Sequence, residues 1–398
     1  MRISWRCRSA PLRPMLLAIA IIGVVLPAAA ARPGHREHGR TGPAVIAYVF
    51  PRDHLLQPGE IAATKLTRIN YAFANLQDGR IAAVNPADGP NLAALVALKK
   101  QNPSLQVLIS LGGWLWSGQF SDAALTPESR SRLIESVVAF VERYDLDGLD
   151  IDWEYPGQVG AGNRFRPEDG RDYTLLLAEL RRRFDREERQ LGRPLLLSVA
   201  AGSSDEFLEH SEMRQVARLV DTVNLMAYDY YEPGDERITG NHAPLYTDPA
   251  DPKQVSADTS IRHFEHAGVP ADKIVLGVPF YGHIWGNVAP IHHGLFQTGS
   301  PLANAFAPYR VLVTMPGHGF TRYWDASSSA PYLYSAQQRQ FVSYEDPESL
   351  ALKCAYVQRM HLGGVMFWEY SADAAGALLD TIDHAFYSKG RSAAEGGR

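Results

Sequence analysis

The stretch Asp147-Gly148-Leu149-Asp150-Ile151-Asp152-Trp153-Glu154-Tyr155-Pro156 decides the architecture. Successive side chains of a strand point to opposite faces, so Asp150, Asp152 and Glu154 share one face and Leu149, Ile151 and Trp153 the other. Such a strand needs apolar cover behind it and a lined interior in front, and a closed barrel wrapped by helices supplies both. Asp147 has the opposite parity and opens the strand, which gives it a structural task. Carboxyls spaced about 6.7 Å along one face cannot all ionise cheaply. The segment therefore keeps a proton above the usual carboxylate range, as a general acid at neutral pH requires. Glu154 falls at the C-terminal mouth, where barrel active sites are built. An acidic triad can also hold a divalent cation, but carboxyls deep in a packed barrel leave an ion little room, and no metal ligands are expected.

Working outward, short apolar runs alternate with longer helix-like stretches. The candidate strands are Ala44–Phe50, Arg68–Phe73, Leu105–Ser110, Leu146–Asp152, Leu195–Ala200, Thr222–Ala227, Ile274–Pro279 and Gly364–Trp368. Between them, stretches such as Arg130–Glu142 and Asp172–Glu187 repeat apolar residues at helical spacing. This order predicts an α/β chain folded as a parallel (β/α)8 TIM barrel over 44–385. The alternative is an open doubly wound sheet, but no glycine fingerprint follows any strand; Gly160-Ala161-Gly162 lacks the third glycine and a preceding strand. No nucleotide cofactor is therefore expected. The gap before the last strand is too long for one crossover helix and rich in Gly, Pro, Tyr and Ser, which predicts a small α+β insertion at about 282–342. Residues 386–398 are rich in Gly, Ala and Ser and are read as a disordered tail.

The chain of 398 residues is 45% hydrophobic and 21% charged, which excludes a disordered polymer and a disulfide-stapled mini-protein. An Arg-rich opening leads into the apolar run Met15 to Leu26, then Pro27 and four alanines. This is the order of a secretory signal peptide over 1–31, and the run is too short for a membrane anchor, which needs about 20 residues. Arg2, Arg6, Arg8 and Arg13 supply +4 of a net −5, so the remainder carries −9 and is not a nucleic-acid binder. Cys7 leaves with the leader, so Cys354 has no partner for a disulfide and reads as a buried filler. Residues 32–43 read as a solvated linker. The expectation is an exported monomer that does not bind a membrane once the leader is removed.

The acidic strand resembles the D-x-x-D-x-D-x-E signature of glycoside hydrolase family 18, the chitinases. Further along, Asn70-Tyr71-Ala72-Phe73, Ser110-Leu111-Gly112-Gly113-Trp114, Met226-Ala227-Tyr228-Asp229, Gly277-Val278-Pro279-Phe280-Tyr281-Gly282 and Gly364-Val365-Met366-Phe367-Trp368-Glu369 resemble that family's segments on five other strands. In this order, at barrel spacing, they are specific together. The resemblance implies a substrate-assisted retaining mechanism without cofactor, an exception to the two-carboxylate scheme. Glu154 would protonate the leaving oxygen, and the substrate's 2-acetamido oxygen would attack the anomeric carbon. Asp152 would turn toward the acetamido N–H, and Asp150 would hold the proton that Asp152 shares. Tyr228 would hydrogen-bond the acetamido oxygen. Asp229 and Met226 would shape that subsite, and Tyr48 and Ser110 would hydrogen-bond the buried Asp pair. Phe73, Gly113, Tyr155 and Tyr281 are counted with them as substrate-binding.

Flat rings at a barrel mouth make platforms for sugars. Trp114, Trp116, Trp285 and Trp368 fall near strand ends, with Trp368 as the implied floor and Trp114 as a second platform; Trp153 points outward and is read as packing. After Tyr281-Gly282 many relatives carry Arg, where this chain has His283. Arg has a fixed charge and a planar fork that His lacks. The expected substrate is chitin or N-acetylglucosamine oligosaccharides. The alternatives are an endo-β-N-acetylglucosaminidase acting on glycoprotein glycans or peptidoglycan, and a chitinase-like lectin, against which the intact Glu154, Asp152, Asp150 and Tyr228 argue.

Overall fold

Eight short runs rich in Val, Ile and Leu form parallel strands in a computed structural model that describes residues 42–235 and 237–395. The expected leader at 1–31 and nearly all of the linker lie outside the described residues. The strands are Ala44–Val49, Arg68–Gln77, Gln106–Gly112, Gly148–Asp152, Leu196–Gly202, Thr222–Met226, Ile274–Pro279 and Gly364–Trp368. Each pairs with the next, and the first closes on the eighth through Ala44↔Gly364 and on the second through Ile46↔Arg68. The result is the (β/α)8 barrel that the alternation implied.

The helices lock in place through their ends. Pro127–Arg143 begins on a reciprocal cap in which Ser129 N donates to Thr126 Oγ1 at 3.1 Å and Thr126 N to Ser129 Oγ at 3.0 Å. Pro127 fits the first helical position, where no N–H is needed. Asp169–Leu191 stops at Gly192, which adopts φ 68°. Both helices run further than the apolar periodicity alone indicated, because their end turns carry polar residues.

Strand four shows the parity read from its sequence. Leu149, Ile151 and Trp153 join the core between barrel and helices. Trp153 stacks on Phe120 with centroids 5.2 Å apart and meets the edge of Tyr173 at 5.6 Å, so it is a packing residue. Asp147 clamps the strand's start: Val107 N donates to it at 2.7 Å and Lys99 Nζ at 2.8 Å. Inside the barrel a small apolar group, including Ile46, Ala72, Val275 and Met366, surrounds the carboxyls.

The chain leaves strand seven at Pro279 and enters a five-stranded antiparallel sheet almost at once. That sheet runs in the order Ser300–Pro308, Tyr281–Gly286, Gln340–Ser343, Ala330–Ser335, Thr321–Asp325. Its strands span residues 281 to 343, against the expected 282–342, and its first strand carries Tyr281 and His283 to the barrel mouth. Trp285, on the same strand, is wholly buried in the insertion. It is a core residue and not a sugar platform, because sequence position could not show which way the insertion strand turns. The closing helix Ala377–Glu395 runs past residue 385 into the segment read as a tail. Ala and Glu there favour helix, which a count of small residues conceals. Cys354 is buried and unpaired, and burial pushes its thiol up to about 12. Among the described residues, no helix is long and apolar enough to cross a membrane.

Candidate active site

Asp150 is anchored from four sides. Tyr48 OH donates to its Oδ2 at 2.9 Å and Ser110 Oγ at 2.7 Å, while Ser198 Oγ and Asn224 Nδ2 donate to Oδ1 at 2.6 and 3.1 Å. Both lone pairs of each oxygen are thereby engaged. Burial raises the affinity of Asp150 for a proton above the ordinary value, and hydrogen bonds from Ser198, Ser110 and Tyr48 with the charge of Arg68 only partly oppose it. Two residues along, Asp152 Oδ1 is buried with no partner among the described residues. Burial, then the charges of Glu154 and Asp150, push Asp152 well above the carboxylate range. Burial raises the proton affinity of both Asp150 and Asp152, and Asp152 is the one with an open oxygen site.

Glu154 follows the strand's end. Its backbone N–H donates to Ser117 Oγ at 2.9 Å, and Asn163 Nδ2 donates to its carbonyl at 3.1 Å. Burial pushes its carboxyl up to about 7, helped by the negative charges of Asp229 and Glu232 and opposed by a hydrogen bond from Tyr155. A carboxyl with that affinity is protonated in a useful fraction at neutral pH.

Gly112 and Gly113 let strand three pass this close. Gly112 adopts φ 111°, and a Cβ there would stand 2.2 Å from Asp152 O. Gly113 N donates to the same carbonyl at 2.7 Å, and a Cβ on Gly113 would strike the Phe73 ring at 2.8 Å.

The strand opens into a cleft of about 1310 Å³. Its lining includes Asp152, Glu154, Tyr155, Met226, Tyr228, Asp229 and Tyr281, with Tyr48, Phe73, Trp114 and Trp368. Phe73 stacks against Trp368 at 5.4 Å, and Tyr48 packs beside it at 5.9 Å, so the indole is held as a fixed floor. Trp114 is half exposed with its ring edge toward Tyr155. Ser110 and Gly113 do not line the cleft. Both were counted with the substrate-binding residues; Ser110 instead hydrogen-bonds Asp150, as its resemblance to the family implied, and Gly113 supports the Asp152 backbone from behind. Trp116 packs with Phe50 and Phe73 and also reaches the lining.

Asp229 adopts φ 59°, a conformation that Asp tolerates better than most residues. Tyr281 OH donates to both its oxygens at 2.7 and 2.6 Å, and His283 Nε2 lies 2.8 Å from Oδ1. His242 Nδ1 faces the same oxygen at 3.5 Å. Burial raises the proton affinity of Asp229, but hydrogen bonds from His242 and His283, with the charge of His283, outweigh it and hold the group low. His242 is itself pushed down to about 4 by burial, so its ring is neutral.

Sequence reading missed Ser198, Asn224, Ser117, Glu232 and His242. Ser198 and Asn224 share inward parity with Ala200 and Met226, which was available as a signal. Ser117 opens a single short 3-10 turn and His242 lies in a loop, where no periodicity points anywhere.

A family model described as "Glycosyl hydrolases family 18" matches residues 44–373. Chitinase A1 of Niallia circulans is 33% identical over 91% of this chain, and the matched part is 61% of that longer protein. The structure of a family 18 N-acetylglucosaminidase from Paenibacillus barengoltzii superposes with TM-score 0.79 at 39% identity, covering 86% of this chain and 99% of the other. A class V chitinase from Nicotiana tobaccum, solved in complex with NAG4, gives TM-score 0.79 at 28% identity, covering 86% and 98%.

Proposed function

This chain belongs to family 18 of the glycosyl hydrolases, and from that premise we propose that it is an exported glycosidase that cleaves β-1,4 N-acetylglucosaminide bonds of chitin. The observation that carries this reading is the pairing of a proton-holding Glu154 with an underfilled Asp152 in one cleft floored by Trp368. A sugar resting on the indole places its glycosidic oxygen near Glu154, which gives up its proton as the bond breaks. The 2-acetamido oxygen attacks the anomeric carbon and forms an oxazolinium ion. Asp152, leaving the shared proton on Asp150, accepts the acetamido N–H at its empty Oδ1 and balances the developing positive charge. Tyr228 holds the acetamido oxygen. Water then opens the ring with Glu154, now ionised, as base, so the anomeric configuration is retained.

Similarity to the chitinases of Niallia circulans and Nicotiana tobaccum supports this substrate, and the latter's NAG4 complex supports oligosaccharide partners. The Paenibacillus barengoltzii relative favours a second reading, an N-acetylglucosaminidase preferring short chains. A cleft above the usual range of about 300–1,000 Å³ for single small ligands favours several sugar units.

A product profile on N-acetylglucosamine oligomers separates the two. Internal cleavage into two- and three-sugar products supports the chitinase reading, and release of single sugars from one end supports the other. Equal turnover of fully deacetylated glucosamine polymers contradicts substrate assistance in both.

A further inference from the structure

His242 is wholly buried, yet neither ring nitrogen has a good hydrogen bond. Nε2 has no partner among the described residues, and Nδ1 stands 3.5 Å from Asp229 Oδ1, at the limit of hydrogen bonding. Nδ1 faces Asp229 and is only weakly engaged there, so it is the nitrogen placed to ligate an ion, while Nε2 carries the ring proton. We propose that Asp229, His242 and His283 form a site for a divalent cation of the Zn2+ class that opens into the cleft.

One ligand atom from each residue, a carboxylate oxygen and two imidazole nitrogens, lies within 4.8 Å of the others. A tetrahedral ion with bonds of about 2.0–2.2 Å separates neighbouring ligand atoms by roughly 3.3–3.6 Å. Oδ1 and His242 Nδ1 already stand at that spacing, whereas His283 Nε2 at 2.8 Å must withdraw by roughly half an ångström. The two rings are fixed in relation to each other: His242 N donates to Ser343 Oγ at 2.8 Å, and Ser343 pairs with His283 across the insertion sheet. Two imidazoles and one carboxylate suit Zn2+ better than Mg2+ or Ca2+, which prefer all-oxygen sets.

Exposure gives the direction of entry. The side chains of His242 and His283 are 0% and 7% exposed, and that of Asp229 is 31% exposed on the cleft side. Three protein ligands leave the fourth position toward the cleft, where an ion would draw Asp229 away from Tyr281 and compete with sugar. An Arg at position 283 would fill this space with fixed charge and no lone pair. The site is distinct from the acidic strand, for which no metal was expected.

Equilibrium dialysis of the tag-free protein against Zn2+, with Co2+ absorption as a report on coordination, tests this. The expected result is one ion per chain with the visible bands of four-coordinate Co2+. Binding should weaken at least about tenfold in both His283→Arg and His242→Gln, with folding checked by circular dichroism. If His242→Gln fails to fold, His283→Arg decides alone. Absence of stoichiometric binding, or an ion retained at full affinity by the folded variants, overturns the proposal. Ions on the adjacent His292 and His293 would survive both substitutions and count against it. Zn2+ should also weaken binding of N-acetylglucosamine oligomers to the wild type. That arm rests on the proposed activity, whereas the dialysis arm does not, so the two can fail separately.

Discussion

Asp150 and Glu154 lie four residues apart on one face of one strand, and their surroundings treat them in opposite ways. Asp150 receives four side-chain donors, two on each oxygen, from strands one, three, five and six. Glu154, two residues beyond the strand, has its backbone held by Ser117 and Asn163, and the ionised form of its carboxyl is opposed by the charges of Asp229 and Glu232. Both are buried, so burial does not distinguish them. The number of donors does: the four on Asp150 anchor it in the barrel floor, whereas the Glu154 carboxyl has one, from Tyr155, and stays placed to give up its proton to the cleft.

The largest effect expected from this contrast is on chemistry. Glu154→Gln should lower kcat by about 10³-fold, roughly 4 kcal/mol of barrel-mouth catalysis, while oligomer affinity stays within a few-fold. Turnover reduced less than tenfold would place the acid elsewhere. Asp150→Ala should act mainly on folding, since three hydroxyls and an amide lose their acceptor. A loss of about 3 kcal/mol in urea unfolding is expected, and an unchanged midpoint would show that those donors have other partners. Smallest is Ser198→Ala, which removes one donor of four. It should cost about 1 kcal/mol of stability and leave kcat within a few-fold. A larger fall in kcat would mean that the anchor also tunes Asp152.

The same contrast marks what was legible in the sequence. Parity alone separated Asp150, Asp152 and Glu154 from Leu149, Ile151 and Trp153, because a strand's period of two is rigid. It also assigned Trp153 to the core and Asp147 to structure. The eight strands followed from alternation, their ends less so, since the last residues of strands two, three and five continue past the apolar run. What stayed hidden depends on contacts distant in the chain. His242 reaches Asp229 through a loop with no repeat, and Trp285 turns into the insertion core although it follows a barrel strand by six residues. The filling of Asp150 by Ser198 and Asn224 needs the barrel closed before it can be counted.

The central claim is that Glu154 holds its proton to about pH 7 in the free protein. Titration of glutamate carboxyls by 13C NMR, with Glu154→Gln to assign the signal, measures this directly. The account requires a midpoint near 7 for the signal that the substitution removes. Because the acid form is the active one, kcat/KM should then fall about tenfold per pH unit above that midpoint. A midpoint near the ordinary glutamate value, about 4.3, would contradict the account.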